Sequence, residues 1–173
     1  MMNPIMICGV TGPTGSYLTS IALRFGYEVL GVSRSADVCD RSRLQKLGIS
    51  HIPIDSCDYN DPMAITKLII RYKPMCIVYL GGQSSVAASF ERPMETLISS
   101  AIVVQNFVET IRTNSFNIRF IHASSSEIYG NRAHIGRANE MSSHSPLSPY
   151  AIGKSTASQI VKFYRDAYGL RCV

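Results

Sequence analysis

Short apolar runs rich in β-forming residues alternate along this chain with longer stretches of helical periodicity. No other feature narrows the possible folds so far. Strands that must be joined through a helix pair in parallel, because a parallel neighbour needs a long crossover rather than a tight hairpin. The runs are at 5–8, 28–32, 51–54, 75–80 and 119–122, and a last one begins at Leu170, where a sixth strand has barely started when the chain stops at Val173. They predict an α/β fold, a doubly wound parallel sheet of the Rossmann type, with residues 1–173 forming one dinucleotide-binding domain cut off at that sixth strand. A chain of 173 residues, 46% of them hydrophobic, is long enough to bury a self-sufficient core.

The helical stripes are Tyr17, Leu18, Ile21, Ala22 and Phe25; Ala64, Ile65, Leu68, Ile69 and Tyr72; Leu97, Ala101, Val104, Val108 and Ile111; and Ala157, Ile160, Val161 and Tyr164. Each is expected to face the core. Two stretches, 81–93 and 124–149, lack such periodicity and are expected to be loops. In an open α/β sheet, loops that follow strands gather at the carboxyl ends, where ligands bind.

Charge and cysteine usage exclude several classes of function. The formal charge of +5 is scattered rather than gathered into an arm, and this argues against nucleic acid. Cys8, Cys39, Cys57, Cys76 and Cys172 form no Cys-x-x-Cys pair, so reduced thiols of a cytoplasmic protein are expected. No leader pattern and no apolar run of about 18 residues points to a membrane. His51, His122, His134 and His144 lie apart without ligand spacing, so no metal site is expected. Asp58 and Asp61 read as a turn residue and a helix N-terminal acid.

The first strand runs straight into Gly9-Val10-Thr11-Gly12-Pro13-Thr14-Gly15, and a helix follows at once. Glycines at this spacing allow a tight turn and a close backbone approach to a pyrophosphate, which the helix N-terminus attracts. Where the second strand ends, NAD-binding folds place a carboxylate for the ribose, whereas an Arg accommodates the extra phosphate of NADP. Here the residues are Val32-Ser33-Arg34-Ser35, so NADP is expected ahead of NAD, with Asp37 the alternative ribose ligand.

Tyr150 and Lys154 stand four apart at the start of a helix and so share one face. An ammonium beside a phenol favours the phenolate, and such a Tyr can exchange a proton near neutral pH. Upstream lie Ser125 and Glu127. Two positions apart on an extended segment they point the same way, so both could address one ligand, the hydroxyl as hydrogen-bond donor and the carboxylate as base.

Taken in order, Gly9-x-x-Gly12-x-x-Gly15, Asp55, Leu80-Gly81-Gly82-Gln83-Ser84, Ser125-Ser126-Glu127 and Tyr150-x-x-x-Lys154 resemble the extended short-chain dehydrogenase/reductases, and within them the nucleotide-sugar 4,6-dehydratases. The resemblance spans the chain but only the cofactor-binding half of the usual family protein, without its substrate domain. It implies that Gly9, Gly12, Pro13, Thr14 and Gly15 hold a pyrophosphate and that Arg34 and Ser35 hold the adenosine phosphate. Asp55 and Ser56 would sit at the adenine, and Leu80, Gly81, Gly82, Gln83 and Ser84 along the nicotinamide ribose. It also implies Tyr150 as the base at sugar carbon 4, Lys154 on the cofactor ribose, Ser125 on the same oxygen as Tyr150, and Glu127 as the base at carbon 5. The implied substrate is a nucleotide sugar, GDP-mannose first, and the implied assembly is a homodimer or homotetramer paired through 93–112 and 150–168. An epimerase, reductase or decarboxylase of the same family, or an NADP-binding module without catalysis, are the alternatives.

Overall fold

The computed structural model describes residues 3–131 and 136–173; His134 lies outside them. The strands are β1 (Ile5–Cys8), β2 (Val29–Ser33), β3 (Ile54–Ser56), β4 (Cys76–Tyr79) and β5 (Arg119–His122). They form one parallel sheet in the order β3-β2-β1-β4-β5. At the C-terminus Cys172 bridges Phe120 in parallel, so this segment lies along β5. The expected doubly wound sheet is present, and β1 and β5 have the expected bounds. The third strand lies further along than 51–54. Ile52 turns back to bond Ile49 and buries itself beside Leu44, and Pro53 offers only its carbonyl to Gly31, so the ladder starts at Ile54.

Helices α1 (Pro13–Arg24) and α2 (Ser42–Lys46) lie on one side of the sheet; α3 (Pro62–Tyr72), α6 (Val103–Thr113) and α7 (Pro149–Tyr168) lie on the other. Successive residues of β1 serve the two sides: Ile7 joins Val10, Val29 and Leu44, and Met6 joins Ile65, Phe107, Phe120 and Val161. Burial on both faces is why these strands read as unbroken apolar runs. The 81–93 stretch is not all loop, because it holds α4 (Val86–Glu91), followed by α5 (Pro93–Leu97). A π-helical turn, Ile98–Ile102, then carries the chain into α6.

One stripe is overturned in part: Ala22 and Leu18 do meet the core, but its three other members do not. Tyr17 and Ile21 of α1 and its C-cap Phe25 are 63%, 49% and 77% exposed, and the buried residues of that helix are Gly15, Ser16, Thr19 and Ala22. The helix runs so close to the glycine turn that bulk cannot fit beneath it. A Cβ on Gly15 would lie 2.3 Å from the Gly9 carbonyl oxygen. The two buried hydroxyls satisfy themselves within the helix, Ser16 on Pro13 O at 2.9 Å and Thr19 on Gly15 O at 2.8 Å.

Candidate active site

The strand order reverses between β1 and β4, and the crevice opens there, at the carboxyl ends. Gly9, at φ +83°, makes the turn out of β1; a side chain there would meet the Leu80 carbonyl and the Gly81 nitrogen at 3.0 Å. Gly12 is the N-cap of α1, with Pro13 just inside, no side-chain cap and no acid in the first turn. The N-termini of α3, α4 and α7, by contrast, are capped by Asp61, Ser85 and Ser148. The α1 amides therefore face the crevice without a side-chain acceptor, at the positive end of the helix dipole. A cradle that any Cβ would fill, ending in open N–H groups, fits the diphosphate of a dinucleotide.

The crevice is a cavity of about 920 Å³. Gly9, Gly12, Pro13, Thr14, Gly15, Arg34, Leu80, Gly81, Gly82, Gln83, Ser84, Tyr150 and Lys154 line it, whereas Ser35, Asp37, Asp55, Ser56, Ser125 and Glu127 do not. Asp55 is engaged elsewhere: its carboxylate accepts from Arg71 Nη1 at 3.1 Å and Tyr72 OH at 2.8 Å, pinning the end of α3, and Ser56 Oγ accepts from the Ala36 amide at 2.9 Å. At the β3 end the lining comes instead from Asp58, Tyr59 and Asn60. Asp58 does make a turn, accepting from the Asn60 amide at 2.9 Å, and Asp61 caps α3 through the Met63 amide at 2.8 Å. The position of 58–60 just after a strand was the available signal for its place on the cleft. Ser33, Arg34 and Thr11 stand at the β2 corner, and Arg43 Nη1 reaches the Thr11 carbonyl there at 3.5 Å.

At the other end α7 brings Tyr150 and Lys154 together, 8% and 6% exposed. Lys154 Nζ lies 5.9 Å from the Tyr150 ring centroid and donates to Ala123 O, at the end of β5, at 2.7 Å. Burial pushes the Lys154 ammonium down to about 8. His122 is buried next along the chain, and its ring nitrogens have no hydrogen-bond partner among the described residues. Burial, with the Lys154 charge nearby, pushes it down to about 3, so at neutral pH it is neutral.

The expected extended alternation of Ser125 and Glu127 is overturned. Residues Ser126–Tyr129 form a 3-10 turn for which Ser125 is the N-cap, its Oγ accepting from the Glu127 amide at 3.3 Å. Glu127 is exposed on this turn. Sequence reasoning also missed the π turn: its Ser99 carbonyl accepts from the Tyr79 hydroxyl at 2.7 Å, and its Ser100 packs where a Cβ on Gly153 of α7 would lie 2.9 Å from the Ser100 Cβ. The signal was the small-residue run Ser99-Ser100-Ala101 facing glycine, a mark of close approach. Among the described residues no group of three His, Cys, Asp or Glu side chains is placed to hold a metal, and no helix is long and apolar enough to cross a membrane.

A Rossmann-type sheet, a glycine cradle and a Tyr-Lys pair on the helix after β5 define an extended short-chain dehydrogenase/reductase. Its family follows from sequence: residues 6–173 match the family model described as GDP-mannose 4,6 dehydratase, and the chain belongs to that family. It is 34% identical to the GDP-mannose 4,6-dehydratase of Yersinia enterocolitica over 98% of this chain and 47% of that protein. It is 32% identical to the human GDP-mannose 4,6 dehydratase over 99% and 48%. The chain thus spans about half the length of the curated relatives it matches. Among solved structures, the Thermus thermophilus UDP-glucose 4-epimerase complex with NAD superposes with a TM-score of 0.85 at 25% identity, covering 98% of this chain and 53% of that one. The Bacillus anthracis dTDP-glucose 4,6-dehydratase in complex with NAD shares the fold, with a TM-score of 0.81 at 18% identity over 99% and 53%.

Proposed function

We propose that this chain is the NADP-binding part of a nucleotide-sugar 4,6-dehydratase acting on GDP-mannose. One observation carries the reading: an uncapped, glycine-cradled helix N-terminus and a buried Tyr150–Lys154 pair share one crevice, as a dinucleotide spanning it would require. Arg34 on the lining, with no carboxylate at the end of β2, supports NADP over NAD. The names of the relatives support GDP-mannose.

When bound, the nicotinamide supplies a two-electron acceptor that later gives the same pair back. Tyr150 takes the hydroxyl proton from sugar carbon 4 as that carbon is oxidised to a ketone. Lys154, fixed on Ala123 O, orients the cofactor ribose and keeps a positive charge beside the phenol. Glu127 takes the carbon 5 proton, made acidic by the ketone, and the carbon 6 hydroxyl leaves as water. A bound nicotinamide would supply the return of that pair at carbon 6 as carbon 5 regains a proton, leaving no net oxidation over a turnover. Ser125 is proposed on the oxygen at carbon 4, and Ser35, Asp55 and Ser56 on the adenosine, on the resemblance alone. Pairing of two copies through α5, α6 and α7 is supported by exposed Met94, Ile98, Ile102 and Ile152 on those helices and the π turn.

A sugar-nucleotide epimerase or reductase is the second reading, favoured by the place of Glu127 outside the cavity lining. The test is to supply NADP and GDP-mannose and follow the 4-keto-6-deoxy product. Product from the native protein, lost with oxidation retained in Glu127→Gln, upholds the dehydratase; product formed equally well by Glu127→Gln defeats it.

A further inference from the structure

Glu127 rides on a short turn with little packing of its own, since only Ile128 among its residues is buried. The turn packs against α7, and the residue before Ser125 is tied to that helix by a 2.9 Å bond between the Ser124 and Ser158 hydroxyls; its far end is held by the residue pair His144-Ser145. The Ser145 amide donates to Ile128 O at 2.8 Å. Gly130, at φ +62°, leaves room for the Ser145 carbonyl, which would lie 2.0 Å from any Cβ there. The Tyr129 ring meets the His144 imidazole edge to face, with centroids 5.8 Å apart and planes at 84°.

His144 in turn shares a hydrogen bond of 2.8 Å, Nδ1 to Oγ, with Ser155. Ser155 is 4% exposed and follows Lys154 directly on α7. A buried hydroxyl is costly to leave without a partner, so this bond anchors the imidazole. The strap runs from the turn bearing the carboxylate, through one imidazole, to the helix bearing the Tyr-Lys pair. Among the described residues, no other side-chain bond joins the 142–147 segment to α7.

We infer that His144 is a positioning residue: anchored on Ser155, it sets where the Glu127 carboxylate stands relative to Tyr150 and Lys154, and so governs the elimination step separately from oxidation at carbon 4. This rests on the dehydratase reading above, in which Glu127 is the carbon 5 base. Misplacement of a reacting group by about 1 Å costs on the order of 100-fold in rate.

The experiment uses the intact protein with NADP and GDP-mannose in single turnover, reading nicotinamide absorbance for oxidation and 4-keto-6-deoxy sugar for elimination. His144→Ala and the near-isosteric Ser155→Ala are expected to oxidise within about twofold of the native rate but to eliminate about 10- to 100-fold more slowly, with KM held. His144→Gln, which keeps a hydrogen-bonding group for the Ser155 hydroxyl, is expected to recover most of that loss. Amide exchange is expected to quicken about 10-fold across 126–130 in both Ala variants and to stay unchanged across 152–161. Glu127→Gln is the control. If it stalls after oxidation while both Ala variants run like the native protein, or if both steps slow together in them, the inference falls and the dehydratase reading stands. If Glu127→Gln eliminates normally, both fall.

Discussion

Helices α1 and α7 both begin at the crevice with a proline just inside the N-terminus, and the fold uses them in opposite ways. The α1 helix offers backbone. Its cap is Gly12, its buried face is built from Gly15, Ser16, Thr19 and Ala22, and Tyr17 and Ile21 point outward. The α7 helix offers side chains. Its cap is a buried Ser148 bonded to the Ala151 amide at 3.1 Å, and its first turns bury Tyr150, Lys154 and Ser155. A helix that binds through its N–H groups must lie against its strand and leave those groups without an internal acceptor. One that binds through side chains can satisfy its own terminus and spend its stability on the residues it carries.

The sharpest way to break this division is to put bulk under α1. Gly15→Ala places a methyl group 2.3 Å from the Gly9 carbonyl oxygen, a backbone atom that can yield only by opening the turn. The expected result in calorimetric titration with NADP is a loss of affinity of about 100-fold or more, with stability lowered by about 1–3 kcal/mol. Gly12→Asp asks the converse question. It gives α1 the cap that α3 has in Asp61, at a position whose backbone (φ −69°) any residue adopts. Urea melts should move by less than about 1 kcal/mol, whereas a carboxylate at the phosphate site should weaken NADP about 10- to 100-fold. Undiminished binding would show that the diphosphate does not sit there.

The division also explains what was legible in the sequence. The parallel sheet was, because burial on both faces turns each strand into an apolar run. So were the glycine turn and the Tyr150–Lys154 pair, whose geometry is local to a turn or a helix. The exposed stripe of α1 was not, since periodicity reports that a helix has an apolar face but not how near its neighbour lies. The Ser125–Glu127 alternation failed for a related reason: Ser125 caps the following turn, and the tertiary contacts from His144 and Ser145 keep it a turn. Asp55 is placed at the adenine by the family resemblance, and what the sequence does not show is its structural role. Its partners Arg71 and Tyr72 stand 16 and 17 positions away, where no local pattern reveals them.

On α7 the comparison predicts a stability cost where α1 has none. Lys154 keeps its charge in a site that lowers its pKa from 10.5 to about 8. Between those values the unfolded chain holds the proton more tightly than the native one. Stability therefore rises as pH climbs from about 8 towards 10.5, and the full penalty is felt below 8. Lys154→Met removes the charge and keeps much of the volume. At pH 7 it should stabilise the protein by about 1–3 kcal/mol in urea while abolishing turnover, and its stability should lose the alkaline rise. A destabilised Lys154→Met would mean that the bond to Ala123 O outweighs the cost of burying the ammonium.

The smallest effect falls on the cap itself. Ser148→Ala leaves the Ala151 amide without its acceptor in a place where water is largely excluded, a loss of about 1 kcal/mol in denaturant melts. Position 150 is the second residue inside that helix, so a frayed first turn displaces the phenol before it disturbs anything at α1. Affinity for NADP should stay within about twofold while oxidation at carbon 4 slows about 3- to 10-fold, since the diphosphate cradle lies on the other helix. Equal losses in binding and oxidation would mean that the two helix termini do not act independently, and that the cradle and the phenol are coupled through the cofactor they share.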